Sequence, residues 1–228
     1  MAITTCVFDA YGTLFDVAGA ARQAAAEPGQ EALSALWPRL AEDWRRKQLE
    51  YTWLRAITGD HTDFRRVTED GLDWAMEAAG LSDATLRTRL MALYDALPAY
   101  GEVPDMLKAL KSKGFATAIL SNGSPAMLAS AIASAGIRAH LDAVLSVEAV
   151  GIFKPSARVY EMVGTRFGTQ PQQVLFVSSN GWDVCSGASF GFATAWVNRA
   201  GLPMDRLAAR PGHILPDLST IPQLAGTL

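Results

Sequence analysis

ITTCVFDAYGTLFD (residues 3–16) decides how the rest of the chain reads. Its first residues, Ile3 to Phe8, are β-branched or apolar without alternation, the composition of a strand buried on both faces. The run stops on an acid, Asp9, and the chain turns at Gly12 before Thr13. In a parallel sheet, ligands bind in the crevice beyond the carboxyl ends of such strands. By itself Asp9 reads equally well as a turn former. The remainder of the chain must decide between the two.

Residues 17–97 keep a helical rhythm. Leu33, Leu36, Trp37 and Leu40 recur at helical spacing, as do Leu49, Trp53, Leu54 and Ile57. Leu72, Ala75, Met76 and Ala79 form a further stripe, closed by Gly80. Ser82 suits the N-cap of a last helix running toward Leu97. After Pro98, helices and strands alternate. Helix 104–113 is stopped by Gly114, and strand 115–120 comes next. Helix 124–135 is stopped by Gly136, and strand 143–146 comes after it. Helix 156–167 is closed by Gly168, then come strand 174–177, helix 183–190 and strand 192–197. From Arg199 the chain reads as loop, with a short apolar stretch at Ile214-Leu215 and a turn of helix at 219–224. This order predicts an α/β fold: a doubly wound, mostly parallel sheet in a Rossmann-like core formed by residues 1–15 and 98–228. Residues 16–97 are then a helical cap inserted above the strand ends.

Bulk properties remove several function classes. Of the 228 residues 50% are apolar, enough for a buried core and too many for a disordered chain. The net charge is −3 with both signs mixed, so no basic tract points to nucleic acid. No apolar run approaches the roughly 18 residues of a membrane span, and no signal-peptide pattern opens the chain. The two cysteines, Cys6 and Cys185, fit no zinc spacing and make no disulfide framework. A reducing cytoplasm is the simplest compartment. His61, His140 and His213 sit in no motif and read as surface or turn residues.

Three predicted strands end on reactive groups: Asp9, then Ser121-Asn122-Gly123, then Ser178-Ser179-Asn180 with Asp183 beyond. Lys154-Pro155 precedes the helix between the second and third. Each has a plain reading. Ser-Asn-Gly-Ser-Pro makes a good turn and helix start, Lys154 could be a solvated charge, and Asp183 could cap its helix. Their joint placement at strand ends argues for one site. Ser121 and Ser178 lack a histidine partner in any motif, which disfavours a Ser-His-Asp hydrolase.

FDAYGT, LSNGS, KP and SSNGWD, in this order, resemble the haloacid dehalogenase superfamily from Ile3 to about Leu224. WRRKQLEYTWLR (residues 44–55) is similar to the L-2-haloacid dehalogenase branch, as are LSNGS, FKP and VSSNGWD. Most of the superfamily transfers phosphoryl groups, using a second Asp two residues after the nucleophile and Mg²⁺ held near the last strand. Here Tyr11 takes the place of that acid, and a phenol of pKa about 10 is a poor proton donor at neutral pH. Ser178-Ser179-Asn180 leaves only Asp183 for a cation that wants several carboxylate oxygens. No metal and no other cofactor is therefore expected. A halide leaves without a proton, so dehalogenation tolerates both losses.

The resemblance implies metal-independent hydrolysis of L-2-haloacids to D-2-hydroxy acids through an aspartyl ester on Asp9, with inversion at the α-carbon. Lys154 would hold Asp9 ionised while apolar walls limit its hydration. Thr13 and Ser178 would orient the carboxylate and its partners. Ser121 and backbone N–H groups at the next helix would hold the substrate carboxylate. Arg45, helped by Asn122, would receive the halide. Arg46 and Arg39 compete for that role, and Arg45 is preferred because KQLEYTWLR follows it in register. Tyr11, Leu49, Phe64 and Trp182 would wall the pocket, although each reads almost as well as plain core. Asp183 would be the base for the hydrolytic water with Asn180 placing it, and Tyr160 would support Lys154 or Asp183. Residues 29–43 are longer than the branch pattern suggests, which leaves the path into the Arg45 helix open. A small-molecule phosphatase and a silent binding protein remain the alternatives. The expected partners are a small 2-haloacid and water. The Trp-rich insertion could serve a homodimer or internal packing alike.

Overall fold

The computed structural model describes residues 1–228. Strand β1 (Thr5–Phe8) is buried along its whole length. Its neighbours are β2 (Ala116–Ser121) and β4 (Val174–Ser178), both parallel to it. Beyond them lie β3 (Ala143–Ser146) on one side and β5 (Ala193–Val197) on the other. A sixth strand, β6 (His213–Leu215), extends the sheet past β5, so the order is β3-β2-β1-β4-β5-β6 and every pairing is parallel. The sequence suggests only a loop with an apolar stretch at 214–215. The outer edge of β5 supplies the backbone partners that turn it into a strand. Strand order reverses between β1 and β4, and the crevice at that switch point is where such sheets bind ligands. Register places Phe8 beside Ile119 and Val177, so Asp9 emerges at the common strand tip.

Four helices come after β1: α1 (Gly19–Ala25), α2 (Glu31–Thr58), α3 (Phe64–Ala78) and α4 (Ala84–Asp95). The chain then returns to the sheet layers through α5 (Val103–Ser112), α6 (Pro125–Ser134), α7 (Ala157–Phe167), α8 (Gly181–Phe190) and α9 (Ile221–Ala225). Outgoing and returning segments run side by side. Phe15 forms an antiparallel bridge with Ala99, the Asp16 N–H donates to the Pro98 carbonyl (2.9 Å), and the Tyr100 N–H donates to the Leu14 carbonyl (3.0 Å). One buried apolar cluster joins Phe8 and Phe176 of the sheet to Trp44, Phe64 and Leu90 of the four helices. No helix is long and apolar enough to cross a membrane.

Helix α2 settles the path of residues 29–43, because it runs unbroken from residue 31 through Pro38. A proline inside a helix cannot donate to the carbonyl four residues back. Here that carbonyl belongs to Ser34, and both Ser34 and Pro38 lie toward solvent, so water can satisfy it. The buried face of α2 is Leu33, Leu40, Trp44, Gln48 and Thr52. The expected second stripe is displaced: Leu54 and Ile57 are exposed, and polar Gln48 and Thr52 take the inner positions, Gln48 bonded to Thr68 and Tyr94 and the Thr52 hydroxyl satisfied by the Leu49 carbonyl of its own helix. The N-cap of α4 is Asp83 rather than Ser82. Its carboxylate accepts from the Thr85 and Leu86 N–H groups, an acceptor geometry the neighbouring serine does not reach. Helix α8 begins at Gly181, with Asn180 at the N-cap position, so Asp183 lies inside its first turn and does not cap it.

Candidate active site

Asp9 leaves the tip of β1 almost buried, 7% exposed. Its backbone N–H still donates to Val177 on β4 (2.9 Å), which fixes the carboxylate at the strand crevice. Gly12, at φ +89°, turns the chain so that Thr13 faces back toward Asp9. The Thr13 hydroxyl lies 3.0 Å from Asp9 Oδ2 and accepts from the Ser179 N–H (2.8 Å). The Asn180 side-chain amide also donates to Asp9 Oδ2 (3.0 Å).

Lys154, 1% exposed, donates from its ammonium to Asp9 Oδ1 (3.2 Å) and to Asp183 Oδ2 (2.9 Å). The second Asp183 oxygen accepts from the Tyr160 hydroxyl (2.7 Å). Burial alone would lower the Lys154 pKa, but the charges of Asp183 and Asp9 overturn that and hold it above the ordinary lysine value. Burial raises the Asp183 carboxyl above the ordinary carboxylate range, and the Lys154 charge only partly offsets it. Tyr160 is pushed well up by burial and by the Asp183 charge. Ser178 acts one step away: its hydroxyl accepts from the Asn180 N–H (3.1 Å) and so holds Asn180 rather than Asp9.

The guanidinium of Arg45 reaches down from α2. It donates to the Tyr11 carbonyl (3.0 Å), to Asn180 Oδ1 (3.3 Å) and to Gln48 Oε1 (2.8 Å). Arg39 and Arg46 instead pair with Asp43 on the outer face of the same helix, which removes both as competitors. Asn122 and Arg45 share no hydrogen bond. Asn122 Oδ1 accepts from the Lys154 backbone N–H (2.9 Å), leaving its Nδ2 without a protein partner. Ser121, fully buried at the tip of β2, accepts from the Gly123 N–H (3.0 Å) beside the start of α6.

The Tyr11 ring stacks on Tyr94 (5.5 Å between centroids) and contacts Phe64 (5.4 Å). A Cβ at Gly123 would come within 2.7 Å of the Tyr11 ring, so only glycine fits there. The Tyr11 hydroxyl is buried without a partner, and burial pushes its pKa well above the ordinary value. Trp182 packs edge-on against Trp53 of α2 at 5.4 Å. Leu49 is half-buried on α2 beside Gln48.

Hydrogen bonds thus connect Asp9, Thr13, Lys154, Tyr160, Ser178, Asn180, Asp183, Arg45 and Asn122. Ser121 shares the strand tips without joining them. Sequence reasoning missed Ser179, whose only signal is its place in the strand-end serine pair. It also missed Gln48, Tyr94 and Trp53, whose partners come from other elements. His61 is neither a surface nor a plain turn residue. It is half-buried, its Nε2 lies 3.0 Å from Glu148, and its ring lies 4.7 Å from that of Phe153.

Residues 3–191 match a family model described as haloacid dehalogenase-like hydrolase. The chain is 43% identical to (S)-2-haloacid dehalogenase 1 of Pseudomonas sp. (strain CBS-3), over 97% of this chain and 96% of that one. A crystal structure described as a dehalogenase superimposes with a TM-score of 0.93 at 39% identity, covering 98% of this chain and 97% of the other. The L-2-haloacid dehalogenase of Xanthobacter autotrophicus with chloropropionic acid covalently bound gives a TM-score of 0.86 at 35% identity, covering 97% and 98%.

Proposed function

Because this chain belongs to the haloacid dehalogenase-like hydrolases and, within them, to the (S)-2-haloacid dehalogenases, we propose that it hydrolyses L-2-haloacids to D-2-hydroxy acids with Asp9 as nucleophile and no metal ion. The observation that carries this reading is the single ammonium of Lys154 held between Asp9 and Asp183. A divalent cation wants several oxygen donors around it. Here both acids already share a cation, and no three His, Cys, Asp or Glu side chains converge anywhere in the chain.

Asp9 attacks the α-carbon as the carbon–halogen bond breaks, and the bonding pair leaves with the halide. In-line attack inverts the carbon. Arg45 supplies positive charge where the halide develops. The substrate carboxylate lies against Ser121, the free Asn122 amide and the first-turn N–H groups of α6. Ester formation removes the charge of Asp9 and loosens its hold on Lys154. Water then attacks the ester carbonyl. Asp183 takes the water proton, and its raised pKa makes it a better base than an ordinary carboxylate. The tetrahedral adduct collapses with cleavage of the bond to the alkoxy oxygen, Asp183 returns the proton to that oxygen as the hydroxy acid departs, and the remaining proton of the water is lost to solvent as Asp9 ionises again.

Phosphoryl transfer would need an acid near Asp9 to protonate the leaving oxygen. Tyr11 stands there, and burial makes it a weaker acid than free tyrosine. The test is halide release from L- and D-2-chloropropionate, each with and without EDTA, beside a phosphate ester with Mg²⁺. Chloride from the L-form alone, indifferent to EDTA, is expected. Asp9→Asn should abolish it and leave the fold intact. Phosphate release without chloride would overturn the reading.

A further inference from the structure

Gln48 is a buried polar residue, 1% exposed, on the inner face of α2 between Trp44 and Thr52. The residues around it settle which way its amide points. Arg45 can only donate, so the atom 2.8 Å from its Nη1 must be the carbonyl oxygen Oε1. The amide nitrogen then faces Thr68 Oγ1 (2.8 Å) and the Tyr94 hydroxyl (3.0 Å). The Thr68 hydroxyl hydrogen is committed to the Phe64 carbonyl (2.7 Å). Donation therefore runs from Arg45 to Gln48 to Thr68 to the first residue of α3, and the Tyr94 hydroxyl also lies within donating distance of Gln48 Oε1 (3.2 Å). Tyr94, held by the same amide, stacks on Tyr11, and Tyr11 contacts Phe64. One side chain fixes both the guanidinium and the aromatic wall beside it.

We propose that Gln48 is a positioning residue for halide departure: a neutral acceptor that orients Arg45 without consuming its charge. The proposal rests on the role of Arg45 as the halide acceptor in the dehalogenase reading. A glutamate at this position would also accept from Arg45. It would, however, neutralise the guanidinium and leave Thr68 Oγ1 without its donor. The far edge of Arg45 meets Asn180, which in turn donates to Asp9 Oδ2. An error in the guanidinium plane is thus delivered where the carbon–halogen bond breaks.

The experiment compares wild type, Gln48→Met, Gln48→Glu, Thr68→Val and Arg45→Lys on 2-chloro- and 2-bromopropionate, with inhibition by added chloride and bromide. A poorer leaving group depends more on halide stabilisation. Gln48→Met should lose on the order of tenfold to a hundredfold in kcat on the chloride substrate, the scale of a misplaced catalytic group. It should lose less on the bromide and bind product halide more weakly. Gln48→Glu should shift the bromide-to-chloride ratio the same way, and Arg45→Lys should do so directly. Adding Gln48→Met to Arg45→Lys should cost little more, because the two act as one unit. Equal losses on both halides, or full additivity with Arg45→Lys, would overturn the proposal and make Gln48 a packing residue. Should Gln48→Met fail to fold, Thr68→Val removes the anchor with little change of shape and decides by the same ratio. Wild type releasing no halide would sink the dehalogenase reading itself, and an unchanged ratio in Arg45→Lys would sink the role of Arg45 and the proposal with it.

Discussion

Lys154 has one ammonium and two carboxylates to satisfy, and Tyr160 stabilises the far side of that arrangement by donating to Asp183. That donated bond favours the ionised carboxylate and partly counters the burial that raises its pKa. Tyr160→Phe should raise the Asp183 pKa further, so the acid limb of kcat should move to higher pH. A loss of packing alone would lower the plateau without moving the limb. At alkaline pH the folded chain holds Lys154 and the buried phenols of Tyr11, Tyr94 and Tyr160 above their ordinary values. Each keeps its proton where the unfolded chain has lost it. Their contribution to stability is fully present below about pH 10, the ordinary range of these groups, and is lost as pH climbs through the raised values. Urea unfolding between about pH 8 and 12 checks this, and Tyr160→Phe should flatten part of the decline. At this scale Asp9 was legible because it ends a buried strand, and Lys154 and Asp183 because each opens the stretch into a helix that leaves the same end of the sheet. Gln48 and Ser179 were not, since nothing local says which distant group a glutamine or a serine will meet.

Helix α2 shows how an element can be legible in kind and misread in face. Its periodicity is plain, yet the inner face of its second half carries Gln48 and Thr52 while Ile57 is 82% exposed. Ile57→Gln should therefore leave monomer stability and activity nearly unchanged, whereas Leu40→Ala, at a fully buried site, should cost about 2–5 kcal/mol in denaturant unfolding. Pro38 leaves a carbonyl unpaired within the helix, so Pro38→Ala should stabilise the chain by up to about 3 kcal/mol without changing kcat, since the site lies further along α2. An apolar count cannot find the buried face when hydrogen bonds to α3 and α4 decide it.

For the whole molecule, alternation of strand and helix was enough to foresee a parallel sheet and a crevice over Asp9. The order of the strands and the sixth strand depend on edges that meet only after folding. The paired segments at Leu14–Asp16 and Pro98–Tyr100 carry a further consequence. They cinch the loop that holds α1 to α4 at its neck, so the sheet experiences that whole stretch as a loop already closed. Closure entropy grows only with the logarithm of loop length. Residues added or removed at the turns at Gly29, Gly59 or Gly80 should therefore hardly disturb the strand tip at Asp9 or the turn that carries Lys154. The four helices over the crevice can thus change length at their turns while the strand tip that presents Asp9 keeps its geometry.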